Sequence, residues 1–126
     1  TLKIMLRALK PGGRIFIFVP NATAASRQLA VKMGLYESVT SLTPNDIRAG
    51  HRRIYDRENI VKDCRDAGFK IVSSEGLFFK PFADFQMDQL IDDKFLTQLH
   101  LDSLVELGKE YPELCGYLFV CGEKVG

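Results

Sequence analysis

The spacing of hydrophobic positions changes several times along the chain, and each change marks an element. Leu2, Met5, Leu6 and Leu9 recur at i, i+3, i+4 and i+7, which predicts one face of a helix over the first ten residues. Pro11, Gly12 and Gly13 end it, because proline cannot continue a helix and glycine takes the positive φ of a helix exit. Arg14 to Val19 alternates little, and a short Ile/Phe run between turn residues predicts a strand covered on both faces. Pro20-Asn21 stops that strand. Ala22 to Gly34 reads as a helix, with Asn21 or Thr23 placed to cap it.

Leu35 to Tyr55 has no clean period. Its polar composition suits a mobile lid, with Pro44 at a helix start. Asp56 is a good N-cap, Ile60, Val61, Cys64 and Ala67 share a helical face, and Gly68 ends the helix. Lys70–Leu77 is the second predicted strand. The segment 78–115 is an insertion before the last strand, carrying a cluster of Phe78, Phe79, Phe82, Phe85 and Met87. Two helices follow in it, over Gln86–Leu96 and Thr97–Glu110. Tyr117–Lys124 is the last strand, with Leu118 to Cys121 nearly continuous and so expected to be buried.

The 126 residues suffice for one domain with its own core. A net charge of +1 gives no electrostatic reason to expect nucleic acid or an anionic membrane as partner. No apolar run approaches a membrane span, and no signal-peptide pattern opens the chain. Cys64, Cys115 and Cys121 are unevenly spaced and lack a metal-type pair, which fits buried thiols in a reducing cytoplasm. No P-loop, GxGxxG, HExxH or CxxC motif is present, and no metal site is expected. Gly12-Gly13 precedes a strand rather than a helix, which is the wrong geometry for a phosphate cradle.

An amphipathic helix, Leu9-Lys10-Pro11-Gly12-Gly13, a hydrophobic strand and Pro20-Asn21 together resemble the fifth strand of the class I S-adenosylmethionine-dependent methyltransferases. Gly50-His51-Arg52-Arg53-Ile54-Tyr55-Asp56 and Asp66-Ala67-Gly68-Phe69-Lys70-Ile71-Val72 resemble the approach to that fold's sixth strand. The resemblance implies an α/β fold, a partial Rossmann-like sheet flanked by helices. Its three main strands would lie in the order first-third-second, the last one antiparallel. The family's glycine-rich cofactor loop, ribose-binding acid and fourth strand lie upstream of this region. With no initiator Met and no N-cap before Leu2, the chain is expected to be the C-terminal part of a longer methyltransferase domain. S-adenosylmethionine would serve the complete parent, with none bound to this fragment. The parent would methylate a small-molecule or carrier-bound acceptor.

Candidate site residues follow the carboxyl ends of the strands, where open α/β sheets bind ligands. Asn21 closes the first strand, as a substrate contact or as a helix cap. His51 is either a proton acceptor or a local hydrogen-bonding residue. Arg52 and Arg53 either grip an anionic group or are solvated. Tyr55 either lines the pocket or packs beside Asp56. Arg27 and Lys32 read as solvated, and His100 as a partly exposed helix residue. An open edge on the first strand, or the Leu2–Leu9 face, offers a route to a homodimer. Two other classes stay open: a non-catalytic association module of α/β type, and half of a nucleotide-sugar enzyme. The latter needs a glycine-rich loop that the chain lacks.

Overall fold

The structure is a computed structural model that describes residues 2–42, 44–48 and 53–126. Among these described residues, six helices and a three-stranded sheet succeed one another as α1 (Leu2–Ala8), β1 (Arg14–Pro20), α2 (Ala25–Lys32), α3 (Pro44–Arg48), α4 (Arg57–Ala67), β2 (Phe69–Phe79), α5 (Asp84–Asp92), α6 (Gln98–Glu110), a 3-10 turn at Pro112–Leu114, and β3 (Cys115–Lys124). The sheet order is β1-β3-β2, and β3 is antiparallel to both neighbours. β1 and β2 therefore run the same way with the last strand between them, as the resemblance implies.

Local chemistry accounts for most boundaries. After α1, Gly12 takes φ +81° and donates its N–H to Lys124 O at 2.8 Å, tying the turn to the end of β3. Asp56 caps α4 through a 2.7 Å bond from Asn59 N–H to its Oδ1, and Gly68 leaves the helix at φ +109°. α1 and α4 then lie on one face of the sheet. Ile15, Ile17 and Val19 of β1 pair in register with Gly122, Val120 and Leu118 of β3. Ile15, Ile17, Val19, Leu118 and Val120, together with Ile60, Cys64 and Phe69, Leu2 and Leu6 of α1, and Leu9 just after it, form the core. Leu2, Leu6 and Leu9 are thus turned inward, whereas Met5, which the spacing puts on the same face, is 47% exposed, as is Ile4 beside it at 66%.

The opposite face of β1 corrects the expectation of two-sided burial. Phe16 is 66% exposed and Phe18 58% exposed. They stack on Phe119 and Tyr117 of β3, with ring centroids 5.9 and 5.0 Å apart, so this face carries an aromatic ladder open to solvent. Among the described residues β1 pairs only with β3. In β2, a bulge between Ile71 and Ser73 turns Val72 outward. α6 packs on the far half of β2. It does so at Gly108, where a Cβ would stand 2.8 Å from Cys115 Sγ and 3.0 Å from Phe79 N.

Candidate functional site

The site begins where β1 ends. Asn21 is fully buried. Its Nδ2 donates to Glu113 O at 2.9 Å and to Cys115 O at 2.8 Å, and its Oδ1 accepts from the N–H and the hydroxyl of Thr23, both at 3.1 Å. Its own N–H donates to Gly116 O, and the next residue, Ala22, donates to Tyr55 O. Asn21 and Tyr55 form an isolated parallel bridge. The asparagine is therefore a clamp that gathers the end of β1, the start of β3 and the approach to α4. It does not cap α2, whose N-cap is Ala24 with no side-chain bond.

Beside this clamp lies a cavity of about 470 Å³, at the carboxyl ends of β1 and β2. This is within the range of small-molecule pockets. Asn21, Gly116 and Tyr117 form its floor. Ala24, Arg27 and Ala30 of α2 form one wall, Leu35, Tyr36, Asp46 and Arg48 another, and Lys80, Asp84 and Phe85 a third. Arg27 is held in an ion pair with Asp46, with Nη2 2.7 Å from Oδ2 and both side chains largely hidden from water. Lys80 pairs with Asp84, and its ammonium lies 5.6 Å from the centre of the Tyr117 ring. The lining thus combines aromatic surface with paired ionic groups, which suits a polar small molecule carrying an apolar portion.

A broader groove of about 750 Å³ runs beside α4, bordered by Arg57, Lys62, Arg65 and Glu113. Its charges are largely satisfied. Arg57 donates to Glu113 Oε1, Ser74 Oγ and Ser74 O, each at 2.9 Å, and Lys62 pairs with Asp66. The Arg57 hydrogen bond holds the Glu113 carboxyl below the usual range for glutamate. The smaller cavity is the stronger candidate, because it sits beyond the strand ends.

His51 and Arg52 lie outside the described residues. Tyr55 is not part of the cavity wall; it packs against the core next to α4, with Arg53 4.7 Å over its ring. Burial and the neighbouring Asp63 carboxylate push its phenol above the usual value. Arg53 also pairs with Asp63 at 3.2 Å. His100 is exposed, with Nδ1 accepting the Thr97 N–H at the start of α6. Arg27, read from sequence as solvated, is the residue most changed by the structure. The available signal was its place between Ala24 and Ala30 at i±3, a charge set in a face of small residues. Lys80 and Tyr117 were missed because each follows or opens a strand without a motif of its own.

Burial raises the thiols of Cys64 and Cys115 above the usual cysteine value, so neither is poised as a thiolate nucleophile. Among the described residues no group of three His, Cys, Asp or Glu side chains could hold a metal ion, and no helix is long and apolar enough to cross a membrane. Gly12-Gly13 lies at the start of β1, opposite the cavity, with both amides engaged by Lys124 O and Lys10 O.

No family model matches the chain, and no curated protein matches it. Among solved structures it is similar to Haemonchus contortus phosphoethanolamine N-methyltransferase 2 in complex with S-adenosyl-L-methionine. The identity is 19% and the TM-score 0.47, covering 99% of this chain and 29% of that one. A second structure of that protein, with phosphomonomethylethanolamine and S-adenosylhomocysteine, gives 18% identity and a TM-score of 0.45, with the same coverage. The chain thus spans 29% of the length of these structures, and neither likeness assigns it to a family.

Proposed function

We propose that the chain is the carboxyl-terminal, acceptor-pocket part of a class I S-adenosylmethionine-dependent methyltransferase, whose complete protein methylates a small-molecule or carrier-bound acceptor. The observation that carries this reading is the placement of β3. Sequential strands usually neighbour one another, yet here the last strand enters antiparallel between two strands that run the same way. That is the arrangement the Leu9–Asn21 and Asp66–Val72 resemblances imply. The cavity beyond Asn21 is then the acceptor site, and methyl transfer depends first on how that site aligns the acceptor. His51 as proton acceptor and Arg52 as an anion contact belong to the proposal on sequence grounds alone. Tyr55 enters it as a support for Asn21. The cytoplasm is the proposed compartment, since three buried unpaired thiols suit a reducing environment.

Calorimetric titration with S-adenosylmethionine tests this division of labour. The complete protein should bind, and the 126-residue chain alone should not. A dissociation constant near 1 μM for the chain alone, about −8 kcal/mol, would mean that the cofactor site uses other residues and that the reading is wrong.

The exposed Phe16–Phe18 face favours a second reading, an association module that pairs with its own copy. Four partly exposed aromatic rings offer roughly 400 Å², about half of what one partner contributes to a standard interface. Self-association through this face and the free edge of β1 is therefore weak and concentration-dependent.

A further inference from the structure

Residues 35–42, together with Asp46 and Arg48 of α3, wall one side of the cavity, yet 35–42 contribute little to the core. No residue from 35 to 42 is buried. Among the described residues its backbone bonds are local, from Leu35 N–H to Ala30 O and from Ser41 N–H to Ser38 O, with the Ser38 and Thr40 hydroxyls bonding each other and the Ser41 hydroxyl accepting from the Ser38 N–H. Leu35, Leu42 and Ile47 are exposed. A long-range tie to this segment comes from α2. Arg27 Nη1 donates to Val39 O at 3.3 Å and to Ser41 O at 3.1 Å, while Nη2 donates to Asp46 Oδ2 at 2.7 Å. One planar guanidinium therefore grips the segment at three points, before and within α3. The side chains of the pair are 14% and 8% exposed, so dissolved salt screens the contact little.

We infer that Arg27 is a positioning residue, a latch that fastens the strap formed by residues 35–42 and α3 across the cavity, so that access to the cavity is governed by the Arg27–Asp46 pair. The inference concerns the cavity wall and goes beyond methyl transfer; it holds for any ligand the cavity takes. The geometry calls for arginine. A lysine has one point charge where the fork serves two carbonyls and a carboxylate together. Leu35, Tyr36 and Asp46 reach the cavity from the strap, and Ala30 faces them from α2. Loosening the strap uncovers Ala30 without touching the sheet.

Hydrogen–deuterium exchange and thiol labelling test the latch together. In Arg27→Gln and Arg27→Lys, amides over 35–42 should exchange about tenfold faster or more, while α4 and β3 keep their wild-type protection. In an Ala30→Cys background, a water-soluble maleimide should label the new thiol faster once Arg27→Gln is added, and Asp46→Asn should give an intermediate rate. The three native cysteines are buried, and the Ala30-containing protein reports their background reaction. Unchanged exchange over 35–42 would overturn the latch. So would a rise shared equally by α4 and β3, which would make Arg27 a general stabiliser. Faster exchange with unchanged labelling at position 30 would also overturn it, because the cavity would not have opened.

Discussion

Asn21 and Cys115 stand 94 positions apart in the chain, and the side-chain amide of the first bonds the main-chain carbonyl of the second at 2.8 Å. The contact sets where β1 stops and β3 begins, and it forms the floor of the cavity. Asn21→Ala removes two donors from the buried or part-buried carbonyls of Glu113 and Cys115. The expected loss is about 3 kcal/mol, read from urea denaturation. Asn21→Asp keeps the shape but presents a carboxylate to those carbonyls. It should be at least as damaging at neutral pH and should recover stability on acidification, because a protonated carboxyl can donate again. A cost below about 0.5 kcal/mol for the alanine variant would show that the clamp is dispensable.

Gly108 is the place where α6 meets the start of β3. Helix propensity alone favours alanine over glycine by about 1 kcal/mol. Here the added Cβ would lie 2.8 Å from Cys115 Sγ and 3.0 Å from Phe79 N, both fixed, so overpacking should win. Gly108→Ala is expected to destabilise by roughly 1–3 kcal/mol, and by less in a Cys115→Ala background, where the sulfur is gone. Thermal or denaturant melts of the four proteins in that cycle give the answer; a stabilised Gly108→Ala would contradict the packing described.

Tyr55 should ionise later than an ordinary tyrosine, because burial and the Asp63 carboxylate both disfavour phenolate. A folded value raised above the unfolded one means stability that is fully present below the ordinary tyrosine value and is lost as pH rises through the folded one. Ultraviolet titration should therefore show a late-ionising component, and Tyr55→Phe should remove it and flatten the alkaline stability curve. A titration curve whose late part Tyr55→Phe leaves unchanged would show that the phenol is open to water.

The aromatic face of β1 predicts behaviour in solution. Light scattering should give a mass that rises above 14.2 kDa with concentration. Phe16→Ser/Phe18→Ser should return it to the monomer with little change in melting, since both rings are mostly exposed. A monomer at every concentration would remove the association reading.

The features readable from sequence are those with local causes. The Pro11–Gly13 turn, the Asp56 cap and the Gly68 exit each depend on residues a few positions apart, and each stands where the residue types place it. The central place of β3 was accessible only through the resemblance, because strand order is not a local property. What stayed hidden has partners far away in sequence. Asn21 looks like a helix cap until Glu113 and Cys115 arrive from the other end of the chain. Arg27 looks solvated until Asp46 folds back to it. The run Arg14–Val19 conceals its one-sided burial because both faces are apolar. The sorting is by type rather than polarity, with Ile15, Ile17 and Val19 inward and the two phenylalanines outward.

Methyl transfer measured on the complete protein tests the central claim most directly. Tritium from the methyl group of S-adenosylmethionine should appear on an acceptor drawn from a panel of small molecules and carrier-bound groups. Ala30→Phe, which fills the cavity beside Arg27, should raise the acceptor KM about tenfold or more while leaving cofactor affinity unchanged. Transfer with an unaltered acceptor KM in Ala30→Phe would place the acceptor elsewhere, and no transfer to any acceptor by a protein that binds the cofactor would contradict the account.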